Sequence, residues 1–153
     1  MGLNVGEVIP EFTLPDQDGN LFNSNEIVGK KPLVIFFYPR DNTPGCTIEV
    51  CSFRDSYEEF TELGAVVIGI SSDSENSHRR FASKYKLPFK LLADRQKKVH
   101  SLFKVESKLF NLLPGRETYV VNKEGRIQMV FNSINASKHM ERALNAVKKL
   151  NSK

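Results

Sequence analysis

A chain of 153 residues, 40% hydrophobic and 26% charged, is expected to form one soluble domain over residues 1–153, with a core large enough to need no disulfide or metal support. Disordered, collagen-like and membrane-spanning classes are excluded, because the longest apolar runs, Leu33 to Tyr38 and Ala65 to Ile70, fall far short of the ~18 residues that cross a bilayer. The net charge of +4 comes from scattered small clusters of Lys and Arg without interleaved aromatics, so the basic residues read as solvated faces and predict no nucleic-acid or membrane partner.

The first residues carry neither the basic and apolar regions of a secretory signal nor the Arg-rich pattern of a transit peptide. The expectation is a cytoplasmic location, or an organelle interior such as a plastid if a leader was removed. Asp18-Gly19, flanked by Phe12 to Leu14 and by Leu21-Phe22, predicts an antiparallel hairpin. Ser24 is placed to cap a short helical turn before Gly29. Leu33 to Tyr38, bounded by Pro32 and Pro39, reads as a strand buried on both faces and so in mid-sheet. After a loop to Gly45, the apolar residues Ile48, Val50, Phe53, Tyr57, Phe60 and Leu63 follow helical spacing up to Gly64. Ala65 to Ile70 is a second buried strand. Asp73 or Ser74 caps a helix that carries Phe81, Ala82 and Tyr85 and stops before Leu87-Pro88. A strand over Phe89 to Leu92 and a short helix over Gln96 to Phe103 come next. Glu117 to Val121 and Ile127 to Phe131 form an antiparallel hairpin across Asn122 to Gly125, and Asn135 or Ser137 opens a last amphipathic helix through Met140, Leu144, Val147 and Leu150. This order predicts an α/β fold with a mixed central sheet covered by helices on both faces, with ligand chemistry at strand C-terminal ends.

There are two cysteines, Cys46 and Cys51, too few for a secreted disulfide framework, so catalysis is the first reading, then metal binding, then structure. Thr43 or Asn42 is placed to cap the following helix with Pro44 at its first position, which puts Cys46 in the first turn. The positive end of a helix favours an anion there, and thiolate is the nucleophilic form of cysteine. An inert buried cysteine is the competing reading at either position. In an unbroken helix the two Cα atoms would lie about 8.7 Å apart, beyond the ~7 Å reach of an unstrained disulfide. Bridging them therefore requires local unwinding. A metal site would need two further ligands, and His78, His100 and His139 show no ligand-like spacing, so no metal is expected and these histidines read as surface side chains. A thioredoxin-type oxidoreductase would carry two residues between its cysteines where this chain has four.

The run Phe37-Tyr38-Pro39 through Thr43-Pro44-Gly45-Cys46-Thr47 resembles the active-site loop of the peroxiredoxins. Cys51 and Phe53-Arg54-Asp55 further resemble the subgroup called peroxiredoxin Q or bacterioferritin comigratory protein. Similarity continues through Gly69-Ile70-Ser71, Leu91-Leu92-Ala93-Asp94 and Leu113-Pro114-Gly115-Arg116-Glu117-Thr118-Tyr119-Val120, over almost the whole chain. The resemblance implies a thioredoxin-like fold and an antioxidant thiol peroxidase acting on hydrogen peroxide and organic hydroperoxides. It implies Cys46 as the peroxidatic cysteine and Cys51 as the resolving one, joined as an intramolecular disulfide that thioredoxin or a similar dithiol reductant reopens. Thr43 is then the hydroxyl at the peroxide, Pro39 the shield of the pocket, Arg116 the distant arginine and Glu49 its acidic buttress. No metal, haem, flavin or nicotinamide is implied, since sulfur carries both electrons, and a resolving cysteine in the same chain predicts a monomer. Without the resemblance Arg116 and Glu49 read as surface charges and Thr43 as a helix cap. Many similar chains carry Trp near Phe103; this one has none.

Overall fold

The computed structural model describes residues 2–105, 107–108, 113–114 and 116–151. In chain order the strands are β1 (Thr13–Pro15), β2 (Leu21–Asn23), β3 (Leu33–Phe37), β4 (Val66–Ser71), β5 (Lys90–Ala93), β6 (Ser107–Lys108), β7 (Leu113–Pro114), β8 (Glu117–Val121) and β9 (Ile127–Asn132). The α-helices are α1 (Pro44–Asp55), α2 (Tyr57–Glu62), α3 (Glu75–Tyr85), α4 (Lys98–Leu102) and α5 (His139–Asn151). Among the described residues no helix is long and apolar enough to cross a membrane.

The apolar run of β3 is buried along its whole length because it lies at the centre of a five-stranded sheet, in the order β5-β4-β3-β8-β9. β3 runs parallel to β4 and β4 to β5, while β8 is antiparallel to both β3 and β9. Successive side chains alternate across the sheet. Val34 and Phe36 pack with residues of α1, α2, α3 and α5, whereas Leu33, Ile35 and Phe37 pack with the β1–β2 hairpin and with Val99 of α4. Helices thus cover both faces. Gly69 on β4 lets the Phe36 ring lie against the neighbouring strand, since a Cβ there would sit 2.6 Å from Phe36 Cζ.

The local signals act much as expected, with three differences. The predicted helix to Leu63 breaks at Ser56 (φ −104°, ψ 6°), where Asp55 and Ser56 are poor helix formers. The break lets Phe53 and Phe60 both reach the core with ring centroids 5.8 Å apart. The first 3-10 turn, Ser24–Glu26, is capped by Asn23, whose side chain accepts from the Asn25 N–H while Glu26 reaches back to the Asn23 N–H. Ser24 instead accepts from the Phe12 N–H at 3.0 Å and ties the hairpin to the turn. At the last helix Asn135 caps a 3-10 turn, Ala136–Lys138, that leads into α5.

Candidate active site

β3 ends under the site, and the chain leaves it through Tyr38 and a half-buried Pro39. The loop is anchored by Asp41. Its carboxylate accepts from Tyr38 Oη at 2.6 Å and Ser77 Oγ at 2.8 Å, and stands 2.7 Å from His78 Nδ1. The Asp41 N–H donates to Asp73 Oδ2 at 2.8 Å, and His78 Nε2 donates to the Leu92 carbonyl at 3.0 Å. Burial pushes the Tyr38 phenol well up, and the Asp41 charge adds to it. Asp41, Asp73 and His78 bring ligand-type atoms within 4.8 Å, yet these bonds already engage them. Asn42 then turns the chain at φ 61°, a conformation Asn tolerates better than most residues.

Pro44 opens α1, which runs unbroken to Asp55 and carries Cys46 in its first turn and Cys51 farther along. Thr43 occupies the cap position without a capping bond; its hydroxyl donates to the Arg40 carbonyl at 2.8 Å. Both cysteines are free, Cys46 fully buried and Cys51 half-buried against the core. Burial pushes the Cys51 thiol up, Arg54 opposing and Asp55 adding to the shift.

Antiparallel pairing sets Glu117 opposite Phe37, so Arg116, just before β8, arrives where β3 hands over to the loop. Its Nη2 donates to Cys46 Sγ at 3.5 Å and its Nη1 to Glu49 Oε1. Glu49 lies three residues after Cys46 and so on the same helix face. Gly45 makes room: a Cβ there would lie 3.1 Å from Arg116 Nη2. Burial, complete at Glu49, pushes that carboxyl up to about 8 against the attraction of Arg116. Burial also opposes the Arg116 charge, but the partners Glu49 and Cys46 outweigh it and raise Arg116.

Arg116 and Glu49 are therefore buried partners rather than surface charges. Among the expected residues, Cys46, Glu49 and Arg116 are brought into contact, Pro39 and Thr43 lie on the loop that leads into Cys46, and Cys51 stays on the helix beyond. Gly45, His139 and Thr118 were missed. The three histidines, expected at the surface, are all buried, because specific partners hold their rings: Asp41 and Leu92 engage both nitrogens of His78, Thr118 and Ser133 both nitrogens of His139, and Asp94 the Nδ1 of His100. A cavity of about 810 Å³ lined by Phe12, Leu14, Asp94 and Val99 lies on the hairpin side of the sheet and includes none of the expected site residues.

A guanidinium on the sulfur of a buried cysteine at a helix start is a donor placed to stabilise negative charge on a departing oxygen. The model of the AhpC/TSA family matches residues 5–130, and peroxiredoxin Q of Sedum lineare is 50% identical over 146 residues, covering 95% of this chain and 78% of its own. The chain belongs to the peroxiredoxins. Within them it is of the Q, or bacterioferritin comigratory, type. Peroxiredoxin Q of Arabidopsis thaliana is 48% identical over 95% of this chain and 68% of its own. Peroxidoxin BcpB from Mycobacterium tuberculosis superposes with a TM-score of 0.90 at 33% identity, over 97% of this chain and 98% of the other. Peroxiredoxin Q of Xanthomonas campestris gives 0.84 at 30%, over 92% and 91%. The thioredoxin-like fold of the peroxiredoxins is thus the fold of this enzyme, a thiol peroxidase.

Proposed function

We propose that this peroxiredoxin reduces hydrogen peroxide and organic hydroperoxides through Cys46 and closes its cycle through Cys51. The observation that carries the reading is Arg116 Nη2, 3.5 Å from the buried Cys46 sulfur at the start of α1. The thiolate attacks the terminal peroxide oxygen, the O–O bond breaks, and the departing oxygen takes the electron pair and then a proton. Arg116, the Cys46 N–H and the Thr43 hydroxyl are the donors for that charge, a few kcal/mol each on the scale of a typical oxyanion donor. Thr43 reaches this role by turning its hydroxyl from the Arg40 carbonyl to the entering peroxide. Pro39 shields the pocket and Glu49 buttresses Arg116. The Cys46 sulfenic acid then condenses with the Cys51 thiol, releasing water and leaving an intramolecular disulfide. Because both cysteines sit on one unbroken helix, that step unwinds α1 between them.

Thioredoxin or a similar dithiol protein is the proposed reductant, acting on a monomer that is one functional unit over residues 1–153. Alkyl peroxide reduction by the Xanthomonas campestris bacterioferritin comigratory protein supports organic hydroperoxides as substrates. The chloroplastic peroxiredoxin Q relatives support a plastid interior, the alternative to the cytoplasm. The test is intact mass over seconds after adding one equivalent of hydrogen peroxide to the reduced, metal-free protein. Two hydrogens are lost in the wild type, one oxygen is retained in Cys51→Ser, and nothing changes in Cys46→Ser. A wild type that stays unchanged would refute the reading and move a general thiol oxidoreductase or a metal-binding role ahead.

A further inference from the structure

Behind Arg116 and Glu49 lies a fully buried histidine that the cycle above does not use. His139 is the first residue of α5, held beside the site because the Ala136–Lys138 turn packs on α1 and α5 packs on β8 and β9. Its ring is fixed on three sides. Nε2 lies 2.7 Å from the Ser133 carbonyl, Nδ1 lies 2.7 Å from Thr118 Oγ1, and the Phe131 ring packs edge-on at 4.7 Å. A carbonyl only accepts, so Nε2 carries the hydrogen and Nδ1 of the neutral ring is a lone pair.

That lone pair stands 3.7 Å from Glu49 Oε2. Glu49 Oε2 is buried and has no hydrogen-bond partner among the described residues, an expensive state for an ionised carboxylate oxygen. Resting on the peroxidase reading, we propose that His139 is a positioning residue: it turns toward Glu49 a lone-pair edge that Thr118 also uses, and no N–H, favours the neutral carboxyl, and so leaves the Arg116 charge to the Cys46 sulfur. Burial pushes His139 down to about 4, against its bond to Ser133 and with the Arg116 charge adding, so the ring is neutral at physiological pH. Burial holds the Glu49 proton up to about pH 8. Above that, the ionised carboxylate competes with the thiolate for one guanidinium.

The other charged groups nearby are turned elsewhere. Glu117 faces the opposite side of the sheet, where it accepts from Tyr119 Oη and Asn132. Lys138 and Glu141 are exposed, and the Arg142 guanidinium lies over the Phe131 ring. Arg54 and Asp55 pair with each other at the far end of α1. Among the described residues, Arg116 and the Cys46 sulfur therefore remain as the groups that face the Glu49–His139 pair.

The test follows the rate of Cys46 oxidation by hydrogen peroxide from pH 6 to 10, with infrared spectra of the reduced wild type at pH 7. The expected profile falls on the alkaline side as Glu49 ionises, and Glu49→Gln abolishes the fall. His139→Leu, which removes the acceptor, moves the fall down by about one pH unit. Thr118→Val, which frees Nδ1 from its competing hydroxyl, moves the fall up. A merely structural role would move neither in this opposed way. The infrared spectrum should show a protonated carboxyl band that Glu49→Gln lacks, a readout independent of how the histidine variant folds. Absence of the band, or an alkaline limb unmoved by both variants, would overturn the role of His139 and leave the peroxidase reading intact. A wild type that does not react with peroxide would refute that reading itself.

Discussion

Oxidation of the reduced protein to its disulfide is expected to lower its stability, although it adds a covalent cross-link. α1 is unbroken from Pro44 to Asp55, and five residues of helix separate the cysteine Cα atoms by about 8.7 Å, more than a disulfide spans. Closing the bond gives up roughly four backbone hydrogen bonds of that turn, at about 1 kcal/mol each. It also pulls the fully buried Val50 out of its packing, about 2 kcal/mol more. A cross-link across so short a ring returns only about 2 kcal/mol through the unfolded chain. The net loss is roughly 4 kcal/mol, which for a domain of this size is a fall in Tm of about 8–16 °C. Thermal melts of the two redox forms measure it, together with amide exchange over residues 45–55. An oxidised form that melts at or above the reduced one, with α1 amides equally protected, would refute the unwinding argument.

Gly45→Ala is expected to slow Cys46 oxidation by about 10- to 100-fold, because its Cβ would stand 3.1 Å from an Arg116 nitrogen that Glu49 holds in place; an unchanged rate would show that Arg116 shifts freely. The disulfide-forming step should accelerate about tenfold from pH 7 to 8, since burial raises the Cys51 thiol above its ordinary value and each pH unit below it costs a factor of ten in thiolate. Stopped-flow kinetics of the second phase would show a flat profile if this were wrong. Tyr38→Phe should cost about 1–3 kcal/mol in urea unfolding by removing the hydroxyl that donates to buried Asp41; a loss within error would mean the anchor of the loop lies elsewhere.

The elements legible in the sequence were those set by local chemistry. The run Leu33 to Phe37 reads as a central strand because burial on both faces tolerates no polar residue, and Asn122 to Gly125 reads as a hairpin because Gly125 supplies the positive φ (88°) the turn uses. Pro44 marks the start of α1 and so the place of Cys46. Partnerships across the chain were not legible from local pattern; the pairing of Arg116 with Glu49 came through the family resemblance alone. Arg116 and Glu49 are 67 residues apart, and only the pairing of β8 with β3 brings them together. The histidines were misplaced for the same reason: a buried ring is made possible by a carboxylate or carbonyl from another element, and spacing along one segment carries no trace of it. Ser56 shows the opposite limit, a helix break too weak locally to outweigh an apolar pattern that runs straight through it.

The anchoring of Asp41 has a consequence for the disulfide chemistry. On the near side the chain is pinned at Asp41 by the Tyr38, Ser77 and His78 contacts, and on the far side Phe53 stacks on Phe36 with ring centroids 4.5 Å apart. If both pins hold while α1 unwinds, the two sulfurs belong to a tether of a dozen residues fixed at each end. Such a chain spans at most about 3.3–3.6 Å per residue, so neither sulfur can drift far from the other. Short flexible tethers keep their ends at millimolar effective concentration, well above what a protein thiol reaches by diffusion from outside. In the proposed cycle the loop anchor would thus make bond closure a contest decided by polymer confinement, in which the internal thiol starts ahead of any second peroxide or foreign thiol.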